Sequence, residues 1–197
     1  MGGSTTRRGN LRTAEKGRPM KVAAAISAAL YWMIAGSVSY AATVRFPGHT
    51  HIATSPDGNT MIVNIDRDEE PNHVLSLKDK GRSRSRAVLS YGRYVDVSWS
   101  PDSKFFFVND YDGSDVARCV LLDRAHLNKR DTRVLLQKEM DAITAHFKGS
   151  SWTVTCSSWQ KGDKVRVSIV VSGNGTVEEV RKRFLLDART GAFTAKD

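Results

Sequence analysis

The sequence predicts an all-β fold made of about three copies of one antiparallel β-meander, with one inserted helix. Three observations predict it. A small polar turn running into an apolar strand occurs twice: TSPDGNTMIVNID (54–66) matches WSPDSKFFFVNDY (99–111) at a constant offset of 45. Ser55, Pro56, Asp57, Val63 and Asn64 pair with Ser100, Pro101, Asp102, Val108 and Asn109. A weaker third copy, SWQKGDKVRVSIVVSGNG (158–175), sets Trp159 against Trp99 and Lys164 against Lys104 at an offset of 60, with Lys-Gly in place of Pro-Asp. Strand-like segments also flank every copy of the turn. A period in the forties with several strands per unit is the pattern of propeller blades, so the repeats are read as propeller-like.

Each element follows from local chemistry. The strands before the turns are His51–Thr54, Val95–Trp99 with its valines alternating, and Trp152–Cys156. Proline presets the turn, and Asp or Ser side chains bond back to its N–H groups. The strand after the second turn, Phe105 to Val108, is apolar without alternation, which predicts burial on both faces. A further strand follows in each copy: Val74–Leu77, Ala117–Leu122 and Arg183–Leu186, the last two ending alike as VLLD (120–123) and FLLD (184–187). The third copy continues through Asp187-Ala188-Arg189-Thr190-Gly191, a hairpin-type turn, into a short final strand at Ala192–Thr194. The extra length between copies two and three contains Leu136, Met140, Ile143 and Phe147 at helical spacing, with Asp131 or Thr132 as cap. It predicts a single amphipathic helix over 134–147.

Through SPDGNTMIV, WSPDSKFFFV and DARTG, residues 50–193 resemble WD-repeat-like, TolB-type β-propeller blades. The hallmark of those blades is a Ser-Pro-Asp-Gly turn before the second strand and an Asp-x-x-Thr-Gly turn after the third. The chain is also similar to small exported bacterial proteins carrying Val-Asn-Asp and Gly-Ser-Asp after such a turn, a group that brings no activity with it. The resemblance implies a propeller, yet a closed one usually needs four blades and stacked repeats must cover their edges. Three arrangements answer this: an open twisted stack with helix 134–147 over one edge, which is preferred; a homodimer making six blades; or a fourth blade in the linkers.

Charge is uneven. Residues 1–41 carry six Lys and Arg against Glu15 alone, so +5 of the formal +9 sits there and +4 on the remainder. That basicity belongs to a leader and does not indicate nucleic acid. MKVAAAISAALYWMIAGSVSYAA (20–42) begins with a basic residue, continues apolar and ends in small residues, with Ser39-Tyr40-Ala41 as a signal-peptidase site. The expected organisation is an export signal over 1–41, with Met20 as an alternative start, and a repeat domain over 42–197 in the periplasm or secreted. Thr6-Arg7-Arg8-Gly9-Asn10-Leu11 offers a twin-arginine route instead, and Val22–Ala42 could alternatively be a retained anchor. In an oxidising compartment Cys119 and Cys156 form either a disulfide or two buried thiols, and their spacing is not that of a redox or zinc motif.

Candidate binding residues fall in two places. Asn109, Asp110, Asp112 and Asp115 offer alternating oxygens that could wrap calcium, against a hairpin reading of Asp112-Gly113. Lys78, Lys80, Arg82, Arg84 and Arg86 put five cations into residues 78–86, suited to a polyanion or to a solvated loop. His49 and His51 share a strand face but lack a third ligand among His73, His126 and His146. No Gly-x-Ser-x-Gly, Ser-x-x-Lys, His-Glu-x-x-His or phosphate loop is present, so no catalytic residue is assigned. The expected function is a non-catalytic scaffold, without a cofactor, that binds an envelope or secreted protein through loops 65–73, 109–115 and 172–178. It would contact the membrane only in transit. The alternative is an exported hydrolase or a polyanion- or metal-binding protein using the 109–115 and 78–86 segments.

Overall fold

The computed structural model describes residues 42–68, 73–113, 116–145, 151–173 and 179–196. The export-signal reading of 1–41, Asp115, His146, Phe147 and most of the 172–178 loop lie outside the described residues. Three antiparallel four-stranded meanders form the domain. The first is β2 (Ile52–Thr54), β3 (Thr60–Asp66), β4 (His73–Asp79) and β5 (Ser85–Tyr91), paired in that order. The second is β6 (Tyr94–Trp99), β7 (Phe105–Tyr111), β8 (Val116–Asp123) and β9 (Lys129–Asp131). The third is β10 (Ser151–Gln160), β11 (Lys164–Ser172), β12 (Glu179–Asp187) and β13 (Phe193–Lys196). The all-β, propeller-like expectation holds.

The outer strands depart from the sequence reading. β5 and β9 are the fourth strands of blades one and two, and the pattern hid both: β9 is three polar residues, and β5 opens Ser-Arg. The 78–86 run is therefore not one loop. Lys78 and Asp79 end β4, Ser85 and Arg86 begin β5, and only residues 80–84 turn. A further strand, β1 (Val44–Phe46), precedes blade one in sequence but pairs with β6 of blade two, Val44 opposite Val97. Blades two and three also touch edge to edge, where Trp152 and Thr153 of β10 run parallel to Val116 and Ala117 of β8.

The turns explain why Ser-Pro-Asp recurs. Ser55 Oγ donates to Asp57 Oδ1 at 2.6 Å and accepts from the Thr60 N–H at 3.0 Å, while Asp57 Oδ1 accepts from the Asn59 N–H. Ser100 and Asp102 repeat the arrangement with Phe105 and Lys104. The residue after Asp57 must take positive φ, and Gly58 does so at +69° without a Cβ penalty. Its counterpart Ser103 sits at +62°, and its Oγ accepts from the Asp57 N–H, tying the first two blades together. The third turn is one residue shorter. Trp99 pairs with Phe106, but Trp159 pairs with Val165. Along β11 the offset is therefore 59 rather than 60, and Arg166 stands where blade two has Phe107.

These turn carboxylates make the fold acid-sensitive. Partial burial acts to raise the Asp57 and Asp102 carboxyls, but hydrogen bonds from Ser55 and Arg124, and from Lys104 and Ser100, outweigh it and hold both below the ordinary 3.8. The Thr190 N–H does the same for Asp187. Depressed folded values contribute stability that is complete above 3.8 and is lost as the pH falls toward them. The turn carboxylates' contribution to the melting temperature should therefore be complete above about pH 5 and drop below about pH 4. Asp102→Asn with Asp187→Asn should flatten that acid limb; an unchanged limb would refute the assignment.

Blade packing follows the double burial of β7. Phe106 and Val108 join Ile62, Leu75 and Leu77 of blade one, while Phe105 and Phe107 join Val154, Val165 and Val167 of blade three. The repeated tryptophans bond across each junction: Trp99 Nε1 donates to the Ala53 carbonyl at 3.0 Å, and Trp159 Nε1 to the Ser98 carbonyl at 3.3 Å. Cys119 and Cys156 are joined in a disulfide between blades two and three, with Cα atoms 5.7 Å apart. In the chain-entropy picture it contributes about 4 kcal/mol. The predicted single helix over 134–147 is two segments, α1 (Thr132–Leu135) and α2 (Gln137–Thr144). Asp131 Oδ1 caps the Arg133 N–H, so the helix starts early, and it breaks at Leu136. Leu136, Met140 and Ile143 pack into the junction of blades two and three. Among the described residues the linkers hold no fourth blade, and no helix is long and apolar enough to cross a membrane.

Candidate functional site

The sequence-selected acidic residues do not share one environment. Asn109 and Asp110 belong to β7, 4% and 2% exposed. The Asn109 amide faces blade three, donating from Nδ2 to the Cys156 carbonyl and accepting the Cys156 N–H at Oδ1, both at 2.8 Å. It thus imitates a backbone pair where no strand is available. Asp110 receives the Arg118 guanidinium at 2.8 and 3.0 Å. Burial pushes its carboxyl above the usual carboxylate range, and Arg118 pulls against that shift. A cation would have to displace Arg118 to reach it. Asp112 is exposed beyond the strand, and Asp115 is outside the described residues. Among the described residues no three His, Cys, Asp or Glu side chains gather to hold a metal.

Lys78, Lys80, Arg82, Arg84 and Arg86 are all exposed. Arg86 is committed, donating to the Ala125 and Arg124 carbonyls of blade two at 2.9 and 3.0 Å. The other four have no ion pair among the described residues. His49 and His51 are exposed, while His73 meets Asp66 at 2.7 Å and stacks on Tyr91.

What the sequence reading missed lies on the two end faces of the stack. Alternation along β2 and β3 turns Ile52, Met61, Val63 and Ile65 away from blade two, and Ile52 and Ile65 are 44% and 42% exposed. At the other end, the face of blade three turned away from blade two carries Arg166, Arg181, Arg183 and Lys196, all exposed. Arg183 stands directly opposite both Ser168 and Lys196. A groove of about 660 Å³ over this face has Arg166, Ser168, Arg183 and Lys196 in its lining together with the apolar Phe184 and Leu185. The signal was available in the repeat: with the turn shortened by one residue, Arg166 and Arg183 occupy the positions of Phe107 and Cys119, which in blade two are buried against the next blade.

No protein-family model matches the chain, and no curated protein matches it. Among solved structures it is similar to TolB from Acinetobacter baumannii, at 17% identity and a TM-score of 0.39, over 75% of this chain and 32% of that one. It is also similar to a structure from a study of two prolyl endopeptidases, at 16% identity and a TM-score of 0.44, over 72% of this chain and 20% of that one. The chain spans about a third and a fifth of those two chains.

Proposed function

We propose that this is an exported, non-catalytic scaffold that binds a protein partner through the open apolar face of its first blade. The observation that carries the reading is the cluster Ile52, Met61, Val63 and Ile65 across β2 and β3 at the end of the stack, with Ile52 and Ile65 exposed and Met61 and Val63 half-buried between them. Contiguous exposed apolar surface on a rigid sheet is characteristic of protein interfaces. The buried disulfide supports an oxidising destination. Commitment of Asn109 and Asp110 to fold contacts shifts the expected contact surface from the strand-end loops to this face. Calcium at the 109–115 segment stays a weaker reading, since Asp110 is already held by Arg118.

A second copy of the chain is an alternative occupant. Closing a six-bladed ring would press Arg166 and Arg183 of one copy onto Met61 and Val63 of the other, burying charge without partners. A symmetric dimer through two first blades avoids that cost. A photo-crosslinking residue at position 65 should give one discrete heterologous adduct in cells producing the protein, while the same residue at position 84 gives none. Ile52→Lys should abolish the adduct while leaving the melting temperature within a few degrees. A self-adduct only, or an adduct indifferent to Ile52→Lys, would overturn the partner reading.

A further inference from the structure

We infer that the outward face of blade three is a binding site for a linear phosphate polymer. A blade that ends a stack needs a polar outer face, and mixed charge would meet that need. This face is predominantly cationic instead. Among the described residues Arg166, Arg183 and Lys196 have no carboxylate partner, and the face's Glu179 lies at its margin, spent on Arg181 at 3.0 Å. Glu139 of α2 borders an adjoining hollow with Arg181, Lys182, Arg183 and Lys196 but forms no ion pair with any of them. Elsewhere in the domain Arg45, Arg118, Arg124 and Arg189 each meet an aspartate within 3.0 Å, while Arg82 and Arg84 of the first-blade turn also lack an ion pair among the described residues; what sets this face apart is that its cations stand on adjacent paired strands.

Geometry selects a chain-like anion. Arg183 and Lys196 are direct cross-strand neighbours, and Arg166 is diagonal to Arg183 through the Arg166–Leu185 and Ser168–Arg183 pairs. Like charges placed opposite each other destabilise a sheet, and a bound anion removes that cost. The row crosses three strands, about 10 Å at the usual strand spacing, and Arg181 extends it about 7 Å along β12. Arginine forks suit phosphate oxygens in pairs. Ser157 and Ser168 add hydroxyl donors along the groove, while the Gln160 amide donates to Ser158 Oγ and the Trp159 carbonyl. Among the described residues this face carries no exposed aromatic to stack a base, since Phe193 pairs with Leu186 on the other face, and Leu185, opposite Arg166, is half-buried rather than a projecting wedge to enter a bilayer. Charge complementarity therefore fits a soluble phosphate polymer better than a lipid surface or a single-stranded nucleic acid.

The test uses the full mature chain and short-chain inorganic polyphosphate, followed by calorimetry across a salt series. Wild type should bind with affinity that falls as salt rises, and Arg166→Gln with Arg183→Gln should weaken it about tenfold or more and lower the salt slope by between about one and two. Lys80→Gln with Arg82→Gln, which removes equal charge from the first-blade turn, should change affinity less than about twofold. The double arginine variant should melt no lower than wild type, since it relieves opposed charges, and this separates lost binding from lost fold. Equal losses in both double variants would reduce the effect to net charge and overturn the site. Binding to phosphatidylglycerol vesicles without binding to polyphosphate would overturn the polymer in favour of a lipid surface. Equal binding of an oligodeoxythymidylate would overturn the selectivity.

Discussion

Phe107→Ala is expected to lower the unfolding free energy by about 3–5 kcal/mol. Phe107 is 0% exposed, and its ring stacks on Trp159 with centroids 5.8 Å apart. Truncation leaves a cavity between blades two and three at a place the disulfide keeps from collapsing freely, because Cys119 and Cys156 sit in the same cluster. Phe106→Ala should cost a similar amount at the opposite junction, where the ring contacts Trp99 at 4.9 Å. The two variants thus probe different interfaces from adjacent residues of one strand. Urea unfolding followed by tryptophan fluorescence measures both, with Arg82→Ala as an exposed control expected to stay within about 0.5 kcal/mol. A cost below about 1.5 kcal/mol for either phenylalanine would mean that β7 is not sandwiched between two blades.

Asn109→Ala should cost about 2–4 kcal/mol, since it strands the buried N–H and carbonyl of Cys156 together. Asn109→Asp should be nearly as damaging, because a carboxylate can still accept the N–H but opposes the carbonyl with negative charge. A loop ligand would behave differently, tolerating either change with little loss of stability. Chemical denaturation with and without reductant separates the amide's share from that of the disulfide beside it. A loss below about 1 kcal/mol in both variants would restore Asn109 to the list of free binding residues.

Much of the architecture was legible because the repeat is written in residues that do one job each. Ser55, Asp57, Ser100 and Asp102 each brace their own turn, Asp57 also meeting Arg124 of blade two, and the unbroken Phe105–Val108 run can serve only a strand covered twice. The edge strands were illegible for the opposite reason. β9 is held by pairing to β8 and has no apolar period of its own. The helical insertion showed its apolar spacing but not its break at Leu136, which a backbone angle decides. The burial of Asn109 and Asp110 was illegible for a related reason. Asn109 and Asp110 look like loop chemistry in sequence because Asp-Gly follows at once, yet the strand extends through Tyr111 and folds both inward. The basic face was hidden by a single missing turn residue, which moves Arg166 from the position of Phe106, turned toward the preceding blade, to that of Phe107, turned toward the next.

The pairing of β1 with β6 has a consequence for how the chain is made. Val44 must wait for Val97 before its strand has a partner, and every residue of blade one is synthesised in between. The first blade is therefore a closed excursion whose two ends are locked by one short ladder, and the chain cannot finish its beginning until its middle has emerged. β1 therefore stays an unmatched edge for about fifty residues after it is made, and its three-residue length keeps that exposed edge short.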